Sequence, residues 1–273
     1  MTTTTPTSEL VTAWNTWHRI REAELSAEHG WLSLTAFHWL PAEPTTFDDL
    51  PGHWHTDGQR AVLRATRSDG LEYGDDARAG TAILGTVTAA VPEAGSLIWV
   101  RHGDAVVELV LRGGRYAIRR RDPGGPERVA FRGVPAYEVG PQWVVPGRFT
   151  AYDEPRSITV DTARDDLRQQ VSAVGTVEIA LDGGPATLVA TAGRNGRLNL
   201  SFRDATNGRE TAPWRVVSTS VPSPTGAVIV DFNRTVNLPF AFTEFGTCPA
   251  PIAGNDLPVA VTAGELAPIR VTP

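Results

Sequence analysis

The chain has 273 residues, a formal net charge of −6 and 25 basic side chains, all of which are arginine. This acidic balance argues against a nucleic acid or an anionic membrane as the partner. Without lysine, neither Schiff-base chemistry nor a lysine general base is available. The single cysteine excludes an internal disulfide and any metal site built from several cysteines.

The N-terminal sequence MTTTTPTSEL has neither the basic start nor the apolar core of a secretion signal. No apolar run reaches the length of about eighteen residues that a membrane-spanning helix needs. We therefore expect a cytoplasmic protein with no membrane partner. The exclusive use of arginine is typical of a GC-rich genome, such as that of an actinobacterium. A homodimer is left open.

Residues 1–6 are predicted to form a disordered lead, and residues 7–273 a single β-rich domain with a weak seam near 123–126. Thr7 or Ser8 can cap a helix that begins at Glu9, where an acidic side chain suits the helix dipole. Larger side chains then recur at helical spacing, which predicts an amphipathic helix that ends before Gly30. They are Leu10, Trp14, Trp17, Arg21 and Leu25.

From Phe47 onward, short runs with β-type alternation are separated by glycine-rich turn sequences. Strands at this spacing, without helices between them, predict an antiparallel β-sandwich or β-barrel. A short helix is also predicted over Arg164–Val171. The clearest predicted strands are Ala61–Ala65, Ala82–Ala90, Ser96–His102, Ala105–Leu111, Arg115–Arg121, Trp143–Ala151, Ser157–Val160, Gly175–Leu181, Ala186–Ala192, Leu198–Phe202, Ala227–Phe232 and Leu257–Thr262.

Three stretches carry a family resemblance, namely Gly114–Pro123, Phe202–Thr211 and the C-terminal run Ala227–Leu266. The C-terminal run contains Asp-Phe-Asn-Arg, Thr-Cys-Pro and Asn-Asp-Leu-Pro-Val in that order. Together with the opening from Trp17 to Leu40, these stretches resemble the bacterial family known as domain of unknown function 1684. The resemblance spans nearly the whole chain and implies a mostly β domain, without implying an activity.

The chain also departs from the family pattern. Where the family has a tyrosine and a cysteine after Asn-Arg, this sequence has Val236 and Phe240. Gly254 stands at the place of a glutamate, and Trp214 lies in a stretch that replaces Thr-Tyr-Gly. Because apolar groups replace polar ones at several places, the resemblance implies a pocket adapted to a more hydrophobic ligand.

The C-terminal run also holds the main candidates for catalysis. Asp231 and Asn233 follow an apolar strand and share one face, so they could orient a ligand or accept a proton. They could equally satisfy backbone groups of the irregular loop that follows. Glu244 lies near Phe242 and Phe245, and desolvation there would suit a general acid or base, although the side chain could also point outward.

Three histidines and the single cysteine are also candidates for a functional site. His38, in an aromatic segment, is the preferred histidine for acid–base chemistry, although it could be a hydrogen-bonded core residue. Cys248 needs a histidine or a helix terminus to act as a nucleophile, and a small buried hydrophobe is the favoured alternative. His53 and His55 would share a strand face and could bind a metal with a third ligand, but no metal is predicted.

Arg119 and Arg121 alternate on one predicted strand face and could clamp a carboxylate or phosphate, with Arg215 a similar candidate. A solvated edge or a structural ion pair is the alternative. The chain has no glycine-rich phosphate loop, no Gly-x-Ser-x-Gly elbow, no His-Glu-x-x-His and no dinucleotide fingerprint. No cofactor is therefore predicted.

We expect a cofactor-independent enzyme of bacterial specialised metabolism that acts on a small, fairly apolar substrate, as an isomerase, cyclase, lyase or hydrolase. The alternative is a non-catalytic β-sandwich that binds a ligand or a partner. The predicted catalytic residues are Glu244, Asp231 and His38. The predicted substrate-binding residues are Asn233, Arg215, Arg119, Arg121, Trp214, Phe240, Cys248 and Asn255.

Overall fold

The computed structural model describes residues 6–74 and 80–270 of the chain. Within them it has two α-helices and three antiparallel sheets, which confirms the predicted mainly β class with an N-terminal helix. The helices are α1 (Pro6–Leu25) and α2 (Pro126–Ala130). The strands are β1 (Leu34–Trp39), β2 (Thr45–Phe47), β3 (Leu50–Thr56), β4 (Ala61–Ala65), β5 (Leu71–Tyr73), β6 (Gly85–Ala89), β7 (Ser96–His102), β8 (Ala105–Arg112), β9 (Arg115–Arg121), β10 (Val144–Asp161), β11 (Arg168–Leu181), β12 (Gly184–Ala192), β13 (Leu198–Phe202), β14 (Arg215–Ser218), β15 (Ala227–Asp231) and β16 (Val236–Asn237).

Most of the predicted strands are present, and two of the predicted elements are wrong. The helix predicted over Arg164–Val171 is absent, because a turn at 164–167 leads directly into β11. The strand predicted over Leu257–Thr262 is an irregular segment. The predicted disordered lead lies outside the described residues except for Pro6, where α1 begins. No helix in the described ranges is long and apolar enough to cross a membrane.

The chain divides into two compact units. The first unit comprises described residues 6–23 and 132–270, and the second comprises described residues 24–74 and 80–131. The second unit is therefore one continuous stretch of sequence placed between two parts of the first. The prediction of a single domain over residues 7–273 stays a prediction.

The second unit contains a five-stranded sheet in the order β1-β9-β8-β7-β5 and a four-stranded sheet in the order β2-β3-β4-β6. Both sheets contribute to one hydrophobic core. Trp54 of β3 and Trp99 of β7 meet at its centre, with ring centroids 5.6 Å apart in an edge-to-face arrangement. Such pairs add about 1 kcal/mol beyond the burial of their area.

The first unit is built on a seven-stranded sheet in the order β15-β10-β11-β12-β13-β14-β16. One face of this sheet forms the core, through residues such as Val177, Leu188 and Leu200. The sheet does not close into a continuous barrel in the described part of the chain. A single bridge between Thr219 and Val230 links the chain after β14 to β15.

Candidate ligand-binding site

The strand β13 shows how the sequence separates the two faces of the seven-stranded sheet. Leu198, Leu200 and Phe202 point into the core, and Asn199 and Ser201 lie between them on the opposite face. This alternation follows from the two-residue period of a strand. The second face, called the outer face below, therefore carries polar groups on β13.

A segment of the C-terminal run, residues 238–255, lies over the outer face and is called the covering loop below. Its backbone is joined to the β10–β11 hairpin, because the Ala250 N–H donates to the carbonyl of Asp161 at 2.8 Å. The Gln169 side-chain amide donates to the Thr247 carbonyl at 2.7 Å. These bonds hold the covering loop at a defined distance from the sheet.

A cavity of about 130 Å³ lies between the covering loop and the outer face. Its walls are mostly apolar, and no ionisable side chain among the described residues lines it. The polar groups come mainly from the strands β12 and β13. The lining residues are Val171, Val189, Thr191, Asn199, Ser201, Val216, Leu238, Pro249, Ala250, Ile252 and Asn255.

Asn255 forms the end of the cavity where the sheet opens. The strands β12 and β13 pair directly only at Thr191–Asn199 and Ala192–Leu198. At Val189 and Ser201, two positions further along the same register, the Asn255 side chain lies between the two strands and makes the hydrogen bonds that a partner backbone would make. Its Oδ1 accepts from the Val189 N–H at 2.8 Å, and its Nδ2 donates to the carbonyls of Val189 and Ser201 at 2.9 and 2.8 Å.

The backbone around Asn255 extends this arrangement. Arg203 N–H donates to the Asn255 carbonyl at 2.9 Å, and Leu257 N–H donates to the Arg203 carbonyl at 2.8 Å. The chain therefore leaves the covering loop by inserting itself beside the end of β13. Asn255 was predicted to bind substrate, and it does line the cavity, but both its amide donors are used by the protein backbone.

Asp231 is the last residue of β15 and Asn233 lies in the turn that follows, and neither residue lines the cavity. Asn233 is buried, and its side-chain amide donates to the carbonyl of Gly140 at 3.0 Å and to Asp231 Oδ1 at 2.9 Å. The Asn233 Oδ1 accepts from the Gly140 N–H at 2.9 Å. Asp231 also pairs with Arg234 at 3.3 Å. These bonds join the turn to the segment before β10.

Arg215 is fully buried in β14 and pairs with Asp204 at 2.8 Å, with both side chains at 0% exposure. The same guanidinium donates to the carbonyls of Val261, Ala263 and Glu265. Asp204 in turn accepts from the Val261 N–H at 3.3 Å. The pair therefore supplies hydrogen bonds that a neighbouring strand would otherwise give to the segment 261–265, which explains how most of this segment is buried without forming a strand.

Trp214 and Phe240 stack on each other, with ring centroids 4.0 Å apart and an interplanar angle of 27°. Both are positions where the chain departs from the family pattern. A third such position, Val236, pairs with Val216, which lines the cavity. The fourth, Gly254, is exposed and a Cβ there would meet open space. Val236 therefore lies on β16 next to Val216 of β14, and Trp214, the residue before β14, stacks on Phe240 of the covering loop.

Glu244 and Cys248 lie in the covering loop but do not line the cavity. Glu244 is exposed to solvent, so the desolvation that was expected to suit it for proton transfer is not present. Cys248 is buried, and its carbonyl accepts from the Ala163 N–H at 2.9 Å.

The remaining predicted site residues belong to the second unit. His38 on β1 donates to or accepts from Asp49 at 2.7 Å through Nε2, and its ring stacks on Phe47 with centroids 4.1 Å apart. This contact holds the imidazole in one orientation. Only a minority of the His38 side chain, 25%, is exposed.

Arg119 and Arg121 are buried with Glu108 in the second unit. Arg121 binds Glu108 through two nitrogens at 3.1 and 2.7 Å, and Arg119 Nη1 lies 3.7 Å from the same carboxylate. The indole of Trp31 lies 4.8 Å from the Arg121 guanidinium carbon. Burial alone would raise the pKa of Glu108, but the charges of Arg121 and Arg119 outweigh it and hold the pKa below its ordinary value.

The strand β3 carries both His53 and His55, two residues apart, as the sequence predicted. Across the described ranges, however, no three histidine, cysteine, aspartate or glutamate side chains come together in a way that could hold a metal ion. The structure therefore offers no described third ligand for these imidazoles.

Sequence reasoning missed most of the residues that line the cavity, including Thr191, Asn199 and Ser201. A usable pattern was present, since the run Leu-Asn-Leu-Ser-Phe at 198–202 alternates perfectly between apolar and polar groups. The position of the covering loop above this face had no comparable pattern, because it depends on hydrogen bonds between residues far apart in sequence.

Residues 129–266 match the model of the family described as Protein of unknown function (DUF1684), which is just over half of the chain. The match coincides closely with the C-terminal part of the first unit, residues 132–270. It extends neither to Gly114–Pro123 nor to the opening segment, and the resemblance of these two stretches to the family stays a prediction. No curated protein matches the chain.

The chain is also similar to a solved structure, the solution NMR structure of an uncharacterized protein from gene locus rrnAC0354 of Haloarcula marismortui. The two sequences are 29% identical, and the similarity covers 53% of this chain and 82% of that chain, with a TM-score of 0.44.

Proposed function

Because the chain belongs to the family described as Protein of unknown function (DUF1684), and its family region contains the cavity under the covering loop, we propose that this region binds a small, mainly apolar molecule there. The observation that carries the proposal is the cavity itself. A volume of about 130 Å³ is close to that of an engineered protein cavity of ~150 Å³ that binds benzene.

The composition of the walls supports the same proposal. Apolar side chains from β11, β12, β14 and the covering loop surround a few polar groups, which is the usual composition of a small-molecule site. The family resemblance implies an apolar residue in place of a tyrosine at Val236, which pairs with the cavity-lining Val216, and this supports a ligand of apolar character.

The test is a titration of the isotope-labelled protein with benzene, followed by amide chemical shifts. We expect saturable shifts confined to β12, β13, β14 and the covering loop. Ala250→Leu adds carbon atoms inside the cavity and should weaken binding at least tenfold. The matched control is Ala180→Leu, the same change at an exposed position of β11.

Two results would contradict the proposal. The first is the absence of saturable shifts in the native protein up to the solubility limit of benzene. The second is equal affinity in the native protein and in Ala250→Leu, because a ligand elsewhere would be insensitive to the filled cavity. Circular dichroism of each variant establishes that the fold is retained.

A second candidate function, a cofactor-independent enzyme of specialised metabolism, is favoured by the pair His38–Asp49. A carboxylate 2.7 Å from one imidazole nitrogen fixes the tautomer of the ring, as general acid–base catalysis requires. Turnover of small neutral esters and epoxides, as hydrolase and isomerase substrates, should be lost in His38→Ala and Asp49→Asn. It should survive in His53→Ala, and equal turnover in all four proteins would exclude this role.

A further inference from the structure

We infer that the cavity under the covering loop selects a neutral ligand with one hydroxyl group, bound at Ser201 and Asn199 on β13. This inference rests on the proposed function and names the class of molecule that the same cavity would accept. The inference depends on two features of the cavity walls. One is which polar side chains still have hydrogen-bonding capacity for a ligand, and the other is that none of the described lining side chains is ionisable.

The polar groups of the walls differ in how far the protein already uses them. Both amide donors of Asn255 are bound to backbone carbonyls. Thr191 Oγ1 donates to the Asn199 carbonyl at 3.4 Å. By contrast, Ser201 Oγ makes no hydrogen bond with the described residues, and Asn199 uses its side chain only for one bond from Ser218 Oγ, at 2.8 Å.

Ser201 and Asn199 lie two residues apart on β13, so their side chains point to the same side of the sheet. Their Cβ atoms are about 7 Å apart, and both side chains extend beyond Cβ to their polar atoms. Together they offer a donor and an acceptor at one wall of an otherwise apolar cavity. A hydroxyl is the smallest group that can both donate and accept, so it can satisfy both side chains at once.

The lining residues of the cavity also indicate that the ligand is uncharged. No described side chain that lines the cavity is ionisable, so an ionised ligand would lose its hydration without gaining a counter-charge. The desolvation of a lone charge is far more costly than that of a neutral hydroxyl, which can recover its hydrogen bonds at Ser201 and Asn199. A neutral alcohol or phenol is therefore the expected class.

The experiment compares benzene, phenol and benzoate at neutral pH, in the native protein, in Ser201→Ala and in Thr187→Val. Affinities come from the same amide-shift titration. In the native protein, phenol should bind about fivefold more tightly than benzene, which is the effect of one net hydrogen bond, and benzoate should not bind. Ser201→Ala should bring phenol and benzene to similar affinities while leaving benzene unchanged.

Thr187→Val is the matched control, because it deletes a hydroxyl at an exposed position of β12 that does not line the cavity. It should leave the preference for phenol intact. Equal affinities of benzene and phenol in the native protein, or an unchanged preference in Ser201→Ala, would overturn the inference while leaving the proposed function standing. If none of the three probes bound, the proposed function itself would fail.

Discussion

The side chain of Asn255 offers the sharpest test of how the C-terminal run is held. In Asn255→Ala, three partly buried backbone groups lose their partners, namely the N–H and carbonyl of Val189 and the carbonyl of Ser201. Each unsatisfied group costs ~1–3 kcal/mol, and the lower value applies because the adjoining cavity can admit water. The expected loss of unfolding free energy is therefore about 3 kcal/mol.

Urea denaturation followed by far-ultraviolet circular dichroism measures this loss. With a slope of ~2 kcal/mol per molar urea, the midpoint of the affected transition should fall by about 1.5 M. Amide hydrogen exchange adds a local measurement, since the Val189 N–H should lose its protection in Asn255→Ala before its neighbours do.

Asn199→Ala is the matched control, because it makes the same change on the same face of the sheet at a partly exposed position. It removes one side-chain bond, to Ser218, and should cost no more than about 0.5 kcal/mol. Equal midpoints for the two variants would refute the reasoning. Unchanged exchange at Val189 would show that Asn255 does not replace a strand partner.

Two further predictions concern titrating groups. Burial raises the pKa of Glu108, but the charges of Arg121 and Arg119 lower it more, so the pKa lies below its ordinary value. The stability that the Glu108 carboxylate contributes is therefore present above a pH of ~4.3 and is lost as the pH falls through the folded pKa. Glu108→Gln should therefore be about 3 kcal/mol less stable at pH 7, and urea midpoints should show this difference shrinking in acid, whereas a constant difference would refute it. Burial, followed by the bond to Glu210 and its charge, raises the pKa of Tyr137 to about 12. Ultraviolet titration should place one tyrosine there in the native protein and move it towards 10 in Glu210→Gln, and an unmoved titration would exclude the role of Glu210.

The regular parts of the fold were predictable because they depend on local alternation. The strands Ala61–Ala65, Ser96–His102, Arg115–Arg121 and Leu198–Phe202 occur at the predicted bounds. Each has a run of apolar residues or an alternating pattern that is bounded by turn residues. Such patterns determine which face of a strand is buried, whatever the strand pairs with.

The irregular parts were not predictable in the same way. The run 257–262 has the sequence pattern of a strand. The backbone of Val261, however, is hydrogen-bonded to the side chains of Arg215 and Asp204, which lie about fifty residues earlier in the chain. Likewise, nothing local indicates that Glu244 is exposed while Asn255 is buried. For the candidate site, the sequence directed attention to the C-terminal run, part of which lines the cavity, and it contained no recognised signal for the opposite wall on β12 and β13.

The two parts of the first unit are synthesised at different times, because residues 24–131 lie between them in the sequence. Residues 24–131 form a continuous unit and can fold as soon as they are made, since domains generally fold as units during synthesis. The helix α1 is made before them, yet its Trp14 donates to the carbonyl of Asn233 and its Arg21 pairs at 3.1 Å with Glu265, 244 residues later, so these contacts of α1 form only after residues 24–131 have been synthesised. A nascent chain that stops a few residues short of Glu265 would thus contain all of residues 24–131 while Arg21 of α1 still lacks its buried carboxylate partner.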